Sequence, residues 1–359
     1  MKKNILVVDD SALMRRVICD IINSDESFQA TDTCKDGLEA LETLRKKKYD
    51  GVLLDINMPR MDGLELLDKL QEEKIKATII MVSTLTTKDA KVTILAMERG
   101  AIDFVTKPTN VIDAKGDEFK NRLLEVLNAV HATSMYSGPK GREALKAETK
   151  PVAKKVHTFS SPAKKTGKKL IALACSTGGP KSLQSVIPKL PKNLDAPMVL
   201  VQHMPKGFTK SLSDRLNELS AITVTEAQDG DILENGHVYI APGGFHMEVK
   251  KTSGGGHQIA LNSMPAIGGL RPCADVTYDS LRDSGFEEIV CVVLTGMGAD
   301  GTKGILSLEK KKPIYVISQN AETCVVYGMP KAIYQSGVVD QVLPLDDVAA
   351  AITKYVGVK

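Results

Sequence analysis

The sequence predicts two α/β domains, each built on a mostly parallel sheet, with an antiparallel β insertion in the second and a basic linker between them. Short, continuously apolar runs recur through both halves, each closed by polar residues, as strands covered on both faces of a parallel sheet do. Segments with apolar residues at helical spacing separate these runs. Between residues 133 and 167 both patterns dissolve. A chain of 359 residues, 43% of them hydrophobic, exceeds the usual single-domain size and can bury two cores.

In the first half, Ile5-Leu-Val-Val closes on Asp9 and Asp10, Val52-Leu-Leu on Asp55, Ile79-Ile-Met-Val on Ser83, and Ile102-Asp-Phe-Val-Thr on Lys107 and Pro108. The carboxyl ends of parallel strands share one edge, so this pattern gathers carboxylates, a hydroxyl and an ammonium at one crevice. Clustered carboxylates repel one another unless a hard cation binds them, and Mg²⁺ takes one or two carboxylates together with phosphate oxygens and water. The set suits a divalent metal and a phosphoryl group, with Asp55 as nucleophile. Helix capping is the competing reading. It accounts for Asp10 before Ser11-Ala-Leu-Met and for Asp36 before Gly37-Leu-Glu-Ala, but leaves Ser83 and Lys107 unconnected. The half ends in a helix marked by Phe119, Leu123, Leu124, Leu127 and Val130.

With Asp9-Asp10, Asp55-Ile-Asn-Met-Pro, Ser83 and Lys107-Pro108 in place, residues 1–132 resemble the receiver domains of bacterial response regulators. The resemblance implies a flavodoxin-like, five-stranded parallel sheet of order 2-1-3-4-5. It implies that Asp55 accepts phosphate from a sensor histidine kinase, and that Asp10, Asp55 and the Asn57 carbonyl ligate Mg²⁺, with Asp9 acting through water. Lys107 would pair with the phosphoryl oxygens, and the Ser83 hydroxyl would turn toward them as the switch.

From residue 133 to 167 the chain carries Lys140, Arg142, Lys146, Lys150, Lys154, Lys155, Lys164 and Lys165 against Glu143 and Glu148, with Pro139, Pro151 and Pro162 between them. Such a stretch buries too little apolar area to offset its ordering entropy and reads as a self-repelling linker. A basic docking strip for an acidic partner or a membrane surface is the alternative.

In residues 168–359, Leu170-Ile-Ala-Leu-Ala, Pro197-Met-Val-Leu-Val, Ile289-Val-Cys-Val-Val-Leu and Pro313-Ile-Tyr-Val-Ile read as parallel strands. Helical patterns follow the first two, at Ser182-Leu-Gln-Ser-Val-Ile and Phe208-Thr-Lys-Ser-Leu-Ser-Asp-Arg-Leu. Residues 223–261, glycine-rich and alternating, read as the antiparallel insertion. The strands end in Cys175-Ser176-Thr177-Gly-Gly, Gln202-His203 and Thr295-Gly-Met297-Gly-Ala-Asp300. A serine at a tight strand-to-helix turn is exposed, and it needs a neutral imidazole to take its proton and a carboxylate to orient that imidazole. His203 and Asp300 supply both. Individually, each has a structural reading: Ser176 as a helix cap, His203 as a hydrogen-bonded core histidine, Asp300 as a turn residue. No other histidine closes a strand. Cys175 competes as nucleophile but belongs to the strand interior. The order Ser, His, Asp differs from the Ser, Asp, His order of α/β-hydrolases.

These residues, together with Val238-Tyr-Ile-Ala-Pro-Gly-Gly, Arg271-Pro-Cys-Ala-Asp275 and Ser318-Gln-Asn-Ala-Glu-Thr-Cys, resemble the catalytic domain of the bacterial chemotaxis protein-glutamate methylesterases, the CheB family. One departure is Ala174, where the family usually has glycine. The resemblance implies a serine hydrolase that removes glutamate γ-methyl esters from methylated chemoreceptors and releases methanol, with backbone N–H groups of Met297 and Thr177 at the oxyanion. It requires no cofactor for the ester reaction, and some members also deamidate receptor glutamines. It further implies that the unphosphorylated receiver covers the catalytic site, through a face beginning at Leu85 and including Ile94, Ala96 and Met97.

Composition excludes other classes. A net charge of +3, with the basic residues crowded into the linker, speaks against nucleic acid, and the strand-rich second half is unlike a DNA-binding output module. No apolar stretch approaches a membrane span and the N-terminus has no leader pattern, so a cytoplasmic protein is expected. The six cysteines lack any Cys-x-x-Cys pair and read as reduced. A receiver-linked hydrolase of small esters is the nearest rival.

Overall fold

The structure, a computed structural model, describes residues 2–108, 117–134 and 167–359. The linker expected at 133–167 lies almost wholly outside them. The chain divides into two compact units, Met1–His131 and Ala132–Lys359.

The first unit is a five-stranded parallel sheet of β1 (Lys3–Val8), β2 (Phe28–Cys34), β3 (Gly51–Asp55), β4 (Ile79–Ser83) and β5 (Asp103–Thr106), in the order β2-β1-β3-β4-β5. Every residue of β3 and β4 is buried, because helices cover both faces. On one face Ile5, Val7, Leu53, Ile80 and Val82 pack against α1 (Ala12–Asn23) through Ile18 and Ile22, and against α5 (Asp117–Ser134) through Phe119, Leu123 and Leu127. The other helices are α2 (Gly37–Lys46), α3 (Gly63–Glu72) and α4 (Thr87–Glu98).

The second unit is a seven-stranded sheet of order β14-β13-β12-β6-β7-β9-β8, with every recorded pairing parallel. Its strands are β6 (Lys169–Cys175), β7 (Met198–Gln202), β8 (Thr223–Glu226), β9 (His237–Ile240), β12 (Glu288–Val293), β13 (Ile314–Gln319) and β14 (Gln341–Leu343). β10 (His246–Lys251) and β11 (His257–Asn262) form a separate antiparallel hairpin. The antiparallel excursion is therefore shorter than residues 223–261: β8 and β9 belong to the main sheet, β8 as its less covered edge strand and β9, largely buried, between it and β7. Ala174 sits in the core, 1% exposed, so its methyl is absorbed by packing. All six cysteines are free. Among the described residues, no helix is long and apolar enough to cross a membrane.

Candidate functional sites

In the first unit the strand order reverses at β1, and the ends of β1, β3, β4 and β5 meet there. Ser11, not Asp10, caps α1 by accepting the Met14 N–H at 3.3 Å, whereas Asp36 does cap α2. The capping reading thus fails at Asp10. Carboxylate oxygens of Asp9, Asp10 and Asp55 all lie within 4.8 Å of one another. Lys107 Nζ stands 2.8 Å from both Asp9 and Asp55. Among the described residues Asp10 has no cationic partner. Carboxylates so placed exceed what one ammonium can neutralise, and an all-oxygen donor set suits a hard divalent cation. Burial pushes the Asp55 carboxyl up to about 6, opposed by Lys107, so it remains ionised at neutral pH. Burial would lower Lys107, but Asp55 and Asp9 outweigh it and raise the ammonium's pKa.

Ser83 is 1% exposed, and its hydroxyl accepts from Thr93 on α4 at 2.9 Å instead of turning toward Asp55. The Asn57 amide donates to Asp89 at 3.0 Å, and Asp89 also binds the Thr84 and Thr86 hydroxyls. Thr93 and Asp89 are functional candidates that sequence reasoning missed, since neither closes a strand. One expectation fails here. Ile94, Ala96 and Met97 are buried, whereas Leu85, 50% exposed, and the half-buried Val92 and Leu95 offer apolar surface near the switch.

In the second unit the order reverses beside β6, again where side chains gather. Ser176 occupies the turn between β6 and α6 (Gly179–Val186), where Gly178 takes the left-handed conformation with φ 76°. The Ser176 N–H donates to the Thr295 carbonyl at 3.0 Å. A Cβ on Gly296 would stand 2.9 Å from the Ser176 Cβ, so only glycine lets the Thr295–Met297 turn approach the serine. β6 and β7 pair Cys175 with Gln202, which brings Ser176 and His203 to neighbouring strand ends.

His203 Nε2 lies 2.7 Å from Asp300 Oδ2, with both side chains less than a tenth exposed. Burial would push the Asp300 carboxyl up. The His203 bond, helped by the N–H groups of Ala274 at 2.6 Å and Asp275 at 3.0 Å, reverses this and holds it at about 2. Those N–H groups open α7 (Ala274–Ser280), which has no side-chain cap of its own. Nε2 is thus committed to Asp300, leaving Nδ1 as the ring nitrogen for a proton. The structure joins His203 to Asp300, whereas among the described residues the Ser176 hydroxyl has no hydrogen-bond partner. The N–H groups of Thr177 and Met297 likewise have no acceptor among the described residues. Cys175 is ruled out as nucleophile: it is fully buried, burial raises its thiol pKa, and its Sγ donates to Gln202 at 3.0 Å.

A depressed carboxyl pKa stabilises the fold above the unfolded value near 4, and that contribution is lost as pH falls through about 2. Asp300→Asn should therefore cost ~2 kcal/mol at pH 7, with the difference from the parent shrinking between about pH 4 and pH 2. Urea unfolding at neutral and acid pH checks this.

Gln202, 2% exposed, is a further residue that the sequence reading quoted without giving it a role. Its amide donates to the carbonyls of Ser176 at 3.0 Å and His203 at 3.2 Å while accepting from Cys175. Thr295 holds the Thr177 carbonyl at 3.0 Å. These bonds go to backbone, which is why no side-chain pattern announces them. Gln202→Leu should lower kcat about 10- to 100-fold with little change in KM, because displacing the serine or the imidazole by a fraction of an ångström spoils the attack geometry. Steady-state hydrolysis of a small ester checks it.

A carboxylate crevice with a lysine in one unit and a serine, histidine and aspartate at the sheet reversal of the other are the arrangement of a response regulator whose output is an α/β enzyme. Residues 5–114 match the response regulator receiver domain model and residues 171–352 match the CheB methylesterase model. The chain is 40% identical over 360 residues to the protein-glutamate methylesterase/protein-glutamine glutaminase of Geobacillus kaustophilus, covering 98% of each. It is 40% identical over 357 residues to the protein of the same name from Bacillus subtilis, again covering 98% of each. The crystal structure of the Thermotoga maritima CheB methylesterase catalytic domain matches with a TM-score of 0.51 and 43% identity, over 53% of this chain and 99% of that one. The chain belongs to the CheB family of protein-glutamate methylesterases.

Proposed function

We propose that this protein is a phosphorylation-regulated serine hydrolase that removes γ-methyl esters from glutamates of chemoreceptors, in the cytoplasm. The observation that carries the reading is the His203–Asp300 pair set beside Ser176 at the reversal of the second sheet. In the proposed reaction the Ser176 hydroxyl attacks the ester carbonyl and His203 Nδ1 takes its proton. Asp300 keeps the other proton on Nε2 and stabilises the imidazolium. The N–H groups of Thr177 and Met297 receive the oxyanion, each worth roughly 3 kcal/mol in such sites. His203 returns the proton to the departing methoxy group, methanol leaves, and water reverses the steps to free the carboxylate. The relatives' names add a glutaminase activity, which the same groups would perform on a poorer leaving group.

In the receiver, Asp55 accepts the phosphoryl group of a sensor histidine kinase. Asp10, Asp55 and the Asn57 carbonyl would hold Mg²⁺, with Asp9 acting through water; the ion, when bound, screens charge between the carboxylates and the phosphoryl oxygens. Lys107 shifts from the carboxylates to the phosphoryl group, and Ser83 leaves Thr93 to follow it. The test is methanol release from a methyl-esterified chemoreceptor fragment. Release that leaves glutamate behind supports the reading, while turnover of small esters alone would mark a general esterase.

A further inference from the structure

We propose that the hairpin over residues 263–270 is a docking element for the polypeptide that carries the ester, gripping apolar side chains beside the esterified glutamate. This rests on the methylesterase reading and deepens it. A glutamyl methyl ester is a small group, and the triad touches only its carbonyl and leaving oxygen. Preference for the ester on a protein must come from surface outside the triad.

The hairpin, Ser263-Met-Pro-Ala-Ile-Gly-Gly-Leu270, contains no charged residue. Met264 is 65% and Ile267 51% exposed, the first being the most exposed large apolar side chain described. Exposed apolar residues on a loose loop are unremarkable, but this segment is tied down. Ile267 and Leu270 exchange both backbone hydrogen bonds, at 3.1 and 3.0 Å, around Gly268 and Gly269, both at positive φ. Arg271 Nη1 donates to the carbonyls of Ser263 at 3.0 Å and Met264 at 3.1 Å, and His246 Nε2 approaches the Pro265 carbonyl at 3.2 Å. A rigid apolar projection loses little entropy on binding, which favours a recognition role. Methionine's flexible thioether suits partners of differing sequence.

The hairpin is also continuous with the catalytic machinery. Its stem residue Arg271 accepts the Gly244 N–H at 3.0 Å, and the neighbouring Gly243 lies against the Pro205 backbone, two residues beyond His203. On the other side the chain passes directly into Cys273, Ala274 and Asp275, which hold Asp300. The stem of the hairpin therefore joins the two stretches that carry His203 and hold Asp300, and a polypeptide reaching Ser176 from this side would meet Met264 and Ile267.

The test replaces both residues, Met264→Ser with Ile267→Ser, in the full chain activated with acetyl phosphate and Mg²⁺. Methanol release from a methylated chemoreceptor fragment should fall about tenfold in kcat/KM, with p-nitrophenyl acetate hydrolysis within about twofold of the parent. The conservative pair Met264→Leu with Ile267→Val should restore release. Unchanged receptor turnover would overturn the proposal. An equal loss on both substrates would overturn it too, since the hairpin would then only brace Asp300. So would an unchanged activated rate with a raised rate before activation, which would make the hairpin a contact for the receiver. If the parent itself hydrolyses the small ester but releases no methanol, the methylesterase reading falls and the hairpin proposal with it.

Discussion

Ser176→Ala and His203→Gln should each lower kcat on a methylated substrate by about 10⁴- to 10⁶-fold, and the double variant should be scarcely worse than either. The serine hydroxyl is inert at neutral pH without a base, and the imidazole has nothing to deprotonate without the hydroxyl, so loss of either member removes the same step. What remains is the contribution of the oxyanion donors and of binding. The variants should fold normally, because the Ser176 hydroxyl has no hydrogen-bond partner among the described residues and glutamine retains a polar side chain near Asp300. Asp300→Ala should be milder, since Nδ1 stays available while only tautomer and orientation are lost. Paired kinetics of single and double variants check this, and losses that multiply would mean that Ser176 and His203 act separately.

The second large effect falls in the receiver. Asp55→Asn should reduce phosphoryl incorporation from acetyl phosphate by roughly 10²-fold or more, because an amide is not a usable nucleophile and neither neighbouring carboxylate takes its place at the end of β3. Asp9 accepts the Ser11 N–H at 2.9 Å and faces Lys107, and Asp10 stands exposed at the rim. Labelling with a radioactive phosphodonor checks the result, and retained labelling in the variant would place the acceptor elsewhere.

Much of this was legible because parallel sheets put chemistry where apolar runs end. Asp55, Ser83 and Lys107 each follow such a run, as do Ser176, His203 and Asp300. Three things were not legible. β8 alternates like an antiparallel strand yet pairs in parallel, because the edge strand of a sheet has one less covered side whatever its direction, and β9 beside it is largely buried. The restraints on the reactive residues, Gln202 on two carbonyls and Thr93 on Ser83, are hydrogen bonds between elements distant in sequence and leave no spacing to read. Which imidazole nitrogen meets Asp300 depends on the ring's orientation, which residue type alone does not specify. Conversely, Ile94, Ala96 and Met97 suggested an apolar face to the outside, and the fold uses them for the inside.

In the proposed function, phosphate on Asp55 sets the rate at Ser176. The most direct measurement is methanol release from a methyl-esterified chemoreceptor fragment by the full chain, with and without acetyl phosphate and Mg²⁺, in the parent, Asp55→Asn and Ser176→Ala. Acetyl phosphate should accelerate release in the parent, Asp55→Asn should be slow and unresponsive, and Ser176→Ala should release almost no methanol under either condition. Equal rates in the parent with and without the phosphodonor, or acceleration that survives in Asp55→Asn, would contradict this reading.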